Sequence, residues 1–374
     1  MKKYDVAIIG AGIVGLANAW RAAERDLSVA VFERTARAEG ASIRNFGMIW
    51  PIGQSAGELY QTSLRSRELW QELGQQGVLE VENCGSIHLA HQPDELSLLE
   101  EFVGQGTHQS SMITPAEVLQ KSDIANGDGL LGGMDSPTEL RVDPRTASAR
   151  VAAWLAETKG VDFYFNTPVT RVEGGRVHTA NGPLVEAERA LVCSGSDFVS
   201  LYPDRFEASG LVLCKLQMLK TSGQSRSLPG PAPHIASGLT LRHYTSFRNC
   251  PSLEKLKARI QAESPELDRF GIHVMASHFP GGDVILGDSH EYGDEISPFD
   301  KTEIDDWMIR ELRKIVRLDD WNIREKWHGI YAKHPELPVF QQKVDERVTL
   351  FVGAGGAGMT MSFGLADRYW NQNG

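Results

Sequence analysis

The chain has 374 residues, of which 41% are hydrophobic and 23% charged, with a formal net charge of −11 at pH 7 and four cysteines. That length supports two domains or one large composite with ample core, and the acidity disfavours nucleic acid or an anionic membrane as partner. No window of about 18 apolar residues marks a membrane span. The apolar run near the start follows only two lysines and carries ordered glycines, so no secretory signal is expected. Cys84, Cys193, Cys214 and Cys250 show neither metal-ligand spacing nor a CxxC pair; they read as reduced thiols of a cytoplasmic protein, and no metal is expected.

In chain order, residues 4–9 form a buried strand of the parallel type. Gly10-Ala11-Gly12-Ile13-Val14-Gly15 then turns into a helix with an alanine-rich face. Gly10 suits the tight turn, Gly12 the close approach of backbone to a pyrophosphate, and Gly15 the packing of helix on strand. The second strand, SVAVFER (28–34), ends in Glu33 beside Arg34; a carboxylate at that tip accepts hydrogen bonds from an adenosine ribose. Strand, helix, second strand and acid all fall where a dinucleotide site needs them. NAD and FAD share this fingerprint, and the cradle alone does not separate them.

The segment GASIRNFGMIWPIGQ (40–54) follows, and then an amphipathic helix with Leu59, Leu64, Leu69 and Leu73 on one face. CGSIHLA (84–90) reads as a strand and DELSLLEEFVGQG as a helix; RVDPRTASARVAAWLAETKG (141–160) is a helix entered through Asp143 and Pro144. From Asp162 a meander of short strands turns at Gly174-Gly175 and again at 181–183, and closes with ALVCSG, an apolar strand that returns to the parallel sheet. Residues 222–233 are a loop, 241–248 (LRHYTSFR) an alternating β segment, 271–289 a hairpin, and EIDDWMIRELRKIV a helix. The chain ends as strand, glycine loop and helix.

The nucleotide domain is therefore discontinuous, with antiparallel material inserted at two places. The expected fold is α/β: a Rossmann-type FAD-binding domain from residues 1–83, 141–214 and 325–374, and a mixed or antiparallel-sheet substrate domain from 84–140 and 215–324. A discontinuous domain with a C-terminal glycine cap suits FAD, which is long and largely buried. The cap is Phe351-Val-Gly353-Ala-Gly355-Gly356-Ala-Gly358-Met359-Thr360. Backbone N–H groups at such a helix start carry positive partial charge and stabilise the negative charge that a flavin gains on reduction.

The opening glycines, Glu33, CGSIHLA, RVDPRT, NTPVTRV, VCSG, GDS and VGAGGAGMT, in that order over essentially the whole chain, resemble the D-amino-acid-oxidase-like flavoprotein family, which includes glycine and sarcosine oxidases. The resemblance implies FAD, with Val169 presenting backbone to the adenine and Ser194 and Gly195 near the pyrophosphate; none of the four cysteines lies in a segment placed at the flavin, so non-covalent attachment is expected. It also runs the segment after Glu33 beneath the flavin ring, so Ala41, Ser42, Asn45, Phe46, Gly47 and Met48 are expected to line it together with Gly329, Gly355, Gly356, Gly358, Met359 and Thr360. The alternative for RNFGMIWP is a loop that plugs the core. GASIRNFGMIWPIGQ is most similar to the branch associated with bacterial phosphonate catabolism, whose members act on 2-aminoethylphosphonate and its N-methyl derivative.

In the amino-acid oxidases a late strand reads roughly W-x-G-x-R-P, and its Arg clamps the substrate carboxylate. Here the stretch is Trp327-His-Gly329-Ile-Tyr331-Ala-Lys333, and tyrosine does not replace the bidentate charge of a guanidinium. A phosphonate needs several donors, and Arg44, Arg242, Tyr244, Tyr331 and Lys333 are the candidates. No catalytic base is required by the chemistry, which the resemblance gives as hydride transfer to flavin N5 followed by imine hydrolysis; His243 is the residue placed near the amine. The expected function is thus FAD-dependent oxidation of a small amine, an aminoalkylphosphonate first, with dioxygen or another electron acceptor as oxidant. An amino-acid oxidase is the close alternative and a flavin-binding protein without turnover the distant one.

Overall fold

The computed structural model describes residues 1–352 and 354–373; Gly353, part of the second glycine cluster, lies outside the described residues. Two large sheets organise the chain. The first has eight strands, six of them in the order 340–343, 348–352, 182–192, 2–9, 29–32 and 162–164. Lys2–Ile9 pairs in parallel with both Val29–Phe32 and Gly182–Val192, and the latter pairs in parallel with Val348–Val352. The meander strands 169–173 and 176–179 branch from the first half of Gly182–Val192 through antiparallel pairs. These strands are near-continuous apolar runs because both faces are covered: separate hydrophobic clusters sit on either side of the sheet.

Local sequence explains the helices that flank the first sheet. The helix Pro144–Lys159 starts on Asp143, whose carboxylate accepts from Arg145 N at 3.0 Å, and ends at Gly160 with φ +67°. The helix Glu58–Gln75 buries Leu69, Trp70 and Leu73 as its pattern implies. Leu59 and Leu64 are only partly buried, and the inner face is completed by Ser63 and Ser66. The C-terminal helix Gly358–Asn373 packs against both this helix, with Gly364 close on Thr62, and Ile13–Ala23.

The second sheet has nine strands drawn from 86–136, 212–293 and 323–333, and it carries its own core. Ile323–Lys333 lies antiparallel to Val212–Thr221 along nearly its whole length, with Tyr331 opposite Cys214 and Gly329 opposite Leu216. This moves one expected boundary. Material assigned to the nucleotide domain from residue 325 belongs to the second sheet up to Lys333, because an 11-residue strand pairs with its partner rather than breaking partway. The hairpin stands as read, with Met275–His278 antiparallel to Val284–Gly287.

The segment 241–248 is not a β segment. Gly238–Arg242 and Thr245–Phe247 are two short 3₁₀ turns. Thr240 N and His243 N donate three residues back, to Ser237 O and Thr240 O, at 3.0 Å each. Leu239, Thr240 and Leu241 are buried in succession, as are Ser246 and Phe247, which an alternating strand with one wet face does not allow. The shared face assigned to Arg242, Tyr244 and Ser246 is lost with it.

Candidate functional site

A cavity of ≈ 470 Å³ opens along the C-terminal edge of the parallel strands, from Glu33, Val169, Ser194 and Gly195 at one end to Gly329, Tyr331 and the loop Gly355–Gly358 at the other. Gly10 has φ +110°, and a Cβ there would stand 2.4 Å from Cys193 O; one on Gly15 would stand 1.9 Å from Gly10 O. Both positions thus serve the turn and the packing read from the sequence, and Gly10, Gly12, Ile13 and Val14 form the wall. Ala11 and Gly15 lie behind it. Ile13 N donates to Ser42 Oγ at 2.9 Å, tying the helix start to the far segment.

Glu33 does more than the sequence implied. Its carboxylate accepts from Ala11 N at 3.0 Å, Thr35 N at 3.1 Å and Thr35 Oγ1 at 2.8 Å. A carboxylate offers about four acceptor sites, so Glu33 ties the cradle together and retains about one for a ribose hydroxyl. Arg34 is on the wall with its guanidinium 2.8 Å from Asp197.

At the other end Ala41, Ser42, Arg44 and Asn45 form the wall. Asn45 folds that turn: Nδ2 donates to Ala41 O and Ser42 O at 2.9 and 3.0 Å, and Oδ1 accepts from Gly47 N at 2.8 Å. The next three residues are placed differently from the expectation. Phe46 and Met48 are buried in the core of the second sheet. Gly47 is required by a close backbone approach, since a Cβ there would stand 2.1 Å from Val142 O. Here the core-plugging alternative describes the chain better, because Phe46 and Met48 have more apolar surface to bury in the core than on a cavity wall. Gly355, Gly356, Gly358 and Met359 reach the wall, whereas Thr360 is spent on structure, its Oγ1 accepting from Trp50 N at 2.8 Å.

Tyr331 stands on the wall, its hydroxyl 3.2 Å from where a Cβ on Gly356 would lie. Among the described residues the wall carries two arginines, Arg34 and Arg44. Lys333 lies beside the glycine loop, and its Nζ donates to Tyr292 Oη at 3.0 Å; burial lowers its ammonium from the ordinary value. Tyr292 and Tyr331 flank Cys214 in register on the two strands that pair with Val212–Thr221.

Two of the substrate candidates are corrected. Arg242 is turned away into an ion pair with Asp268 at 2.5 Å, and donates to Leu267 O at 3.3 Å and Ile272 O at 2.7 Å. A guanidinium that is nearly fully buried takes whatever acceptors the fold supplies. Tyr244 packs against Trp50, ring centroids 6.1 Å apart, and its hydroxyl points at Met275 Sδ, so it backs the site rather than lining it.

His243 is not alone. His243, His273 and His290 converge from three segments, with ring centroids 3.8 to 4.8 Å apart. Asp288 stands 3.4 Å from His273 Nε2 and 3.8 Å from His290 Nε2. Burial holds all three imidazoles below the ordinary histidine range, His290 down to about 3, and raises the Asp288 carboxyl. No spacing in the sequence signals this set; only the turn at 238–247 and the hairpin ends bring it together.

The FAD dependent oxidoreductase model, DAO, matches residues 5–369, and the chain belongs to that family. Among curated proteins it is similar to the glycine oxidase of Geobacillus kaustophilus, 27% identical over 211 residues that make up 52% of this chain and 55% of that protein. It is also similar to the hydrogen cyanide synthase subunit HcnC of Pseudomonas protegens, 25% identical over 225 residues, 47% of this chain and 53% of that one. The chain thus spans about half the length of the curated relatives it matches. In fold it is similar to glycine oxidase from Bacillus cereus, with a TM-score of 0.76 at 18% identity over 99% of this chain and 94% of that one. The FAD-bound L-α-glycerophosphate oxidase of Mycoplasma pneumoniae has a TM-score of 0.74 at 17% identity, over 100% and 95%. Its residues fit the FAD of that family: a Cβ on Gly12 would close to 3.1 Å on Ser42 Oγ, and the cavity runs from the Glu33 end of the cradle to the Gly355–Gly358 loop. No helix among the described residues is long and apolar enough to cross a membrane.

Proposed function

We propose that this protein oxidises a small primary or N-methyl amine that carries a compact anion, with an aminoalkylphosphonate preferred to an amino carboxylate. The observation that carries the reading is Tyr331: it occupies the cavity wall beside the glycine loop, at the place where the sequence pattern of amino-acid oxidases supplies a carboxylate-clamping Arg. Bound in this cleft, FAD supplies a two-electron acceptor for the C–H bond beside the amine nitrogen, leaving an imine that water hydrolyses.

The chain's own residues orient and desolvate. Tyr331 fixes one wall with an apolar ring and a hydroxyl donor. Lys333, held by Tyr292 at 3.0 Å, and Arg44, whose Nη1 lies 3.4 Å from His328 O, are the cations left near that wall once Arg242 is spent on Asp268. An ammonium and a hydroxyl present point donors from different directions, which suits a tetrahedral anion better than a planar one. The start of the helix Gly358–Asn373 directs N–H groups at the same end of the cavity. A carboxylate-bearing substrate is the second reading, favoured by the name glycine oxidase that two of the similar proteins carry.

The test is anaerobic mixing of the yellow holoprotein with 2-aminoethylphosphonate, its N-methyl derivative, glycine and sarcosine in separate cells. Bleaching of the flavin by the phosphonates supports the reading. Bleaching by glycine or sarcosine alone moves the assignment to the second reading, and no bleaching by any amine leaves a flavin protein without amine turnover.

A further inference from the structure

We propose that His243, His273 and His290, with Asp288 as the fourth donor, form a binding site for one divalent transition-metal ion of the zinc class. One ligand atom from each of the three histidines lies within 4.8 Å of the others. Zinc–nitrogen bonds of about 2.0–2.1 Å in a tetrahedron place donors about 3.3 Å apart, so a shift of roughly 1.5 Å closes the three imidazoles, and Asp288 Oδ1 already stands 3.4 Å from His273 Nε2. Three imidazoles and one carboxylate are the donor types that zinc, cobalt and nickel favour over calcium or magnesium.

The polar bookkeeping of the cluster points the same way. Both ring nitrogens of His273 and Oδ1 of Asp288 are buried without a hydrogen-bond partner, an arrangement that destabilises the fold unless something binds them. His290 Nδ1 is 3.1 Å from Gly271 O. As the N–H donor of that pair it leaves Nε2 with a free lone pair on the cluster side, the way a metal-ligating histidine is oriented by a backbone carbonyl. His273 and Asp288 are clamped to each other by main-chain bonds of 3.3 and 3.1 Å, and His290 N is held by Phe270 O at 2.7 Å, so these three donors sit on fixed backbone. His88 and His278 also lack partners for their ring nitrogens, but neither belongs to a convergent set. His243 is the partly exposed member, so an ion enters from that side. The site does not rest on the substrate class proposed above.

The test uses FAD-loaded protein stripped with chelator, dialysed into phosphate-free buffer and equilibrated with Zn²⁺, bound metal being counted by mass spectrometry. The expected result is about one Zn²⁺ per chain, falling at least about tenfold in affinity in His290→Gln and in Asp288→Asn, with flavin content unchanged. Fewer than about 0.1 equivalents bound by the parent protein, or equal binding by parent and variants, overturns the site. Should the variants fail to fold, Co²⁺ added to the parent decides the matter: intense tetrahedral cobalt absorption to the red of the flavin bands supports the site, and the weak spectrum of hydrated cobalt contradicts it.

Discussion

Replacing Arg242 with Met separates a structural cation from a substrate ligand. The side chain keeps its apolar stem, but Leu267 O and Ile272 O lose donors at 3.3 and 2.7 Å and Asp268 loses its partner at 2.5 Å. A buried acceptor left without its donor costs about 1–3 kcal/mol, whereas Asp268, whose side chain is 36% exposed, adds only on the order of 1 kcal/mol or less. The total is about 3 kcal/mol, which over a chain of this length is about 4 °C in Tm. Turnover should barely change: at saturating FAD, kcat/KM for the best amine stays within about threefold of the parent, a difference under 1 kcal/mol. Lys333→Met should do the reverse, because one charged hydrogen bond to the substrate anion is worth about 1.5–3 kcal/mol, or roughly 10- to 100-fold in kcat/KM, while the half-buried lysine supports only Tyr292. Differential scanning calorimetry and steady-state kinetics on both variants give four numbers. An Arg242→Met enzyme that keeps its Tm and loses more than about tenfold in kcat/KM would refute the assignment of this residue to structure.

Gly12→Leu should yield colourless protein, because the side chain enters the space where a Cβ already stands 3.1 Å from Ser42 Oγ; a yellow, fully loaded variant would show that the pyrophosphate lies elsewhere. Heat or acid denaturation should release the flavin into the supernatant, since the one cysteine on the cavity wall among the described residues, Cys193, stands with Ser194 and Gly195 at the end of the cavity away from Tyr331; colour retained in the pellet would mean a covalent bond. Acid should destabilise the fold through His88 and His234, which burial holds at about 3 rather than 6.5. The unfolded chain then binds more protons between pH 6.5 and 3, so stability present above pH 6.5 is lost on the way down, by about 2 kcal/mol per histidine at pH 5. A Tm independent of pH between 7 and 5 would contradict this.

What the sequence displayed clearly was local. The Gly10–Gly15 turn, the Asp143 cap and the Gly174-Gly175 turn are each set by neighbours in the chain, and the structure has all three where the residue types demand them. Pairing across long separations was not legible. Ile323–Lys333 reads equally well as either sheet, and only its register with Val212–Thr221 decides. Arg242 looked like a free cation because Asp268 reaches it through the helix-turn at 264–271, which no pattern relates to residue 242. The bulky residues Phe46 and Met48 carried the signal of a core plug in their composition, but Asn45 beside them carried that of a lining loop, and both are true of near neighbours. The histidine cluster had no signature at all, since its members come from a turn and from the two open ends of a hairpin.

The substrate assignment is tested most directly by one set of kcat/KM values, for N-methyl-2-aminoethylphosphonate, 2-aminoethylphosphonate, sarcosine, glycine and D-alanine under the same oxygen concentration and pH. Two well-placed charged hydrogen bonds that a planar carboxylate does not make are worth about 3 kcal/mol, so the better phosphonate should exceed the best amino acid by roughly a hundredfold. If glycine, sarcosine or D-alanine has the highest value, the wall beside Tyr331 binds a carboxylate without an arginine clamp, and the protein is an amino-acid oxidase.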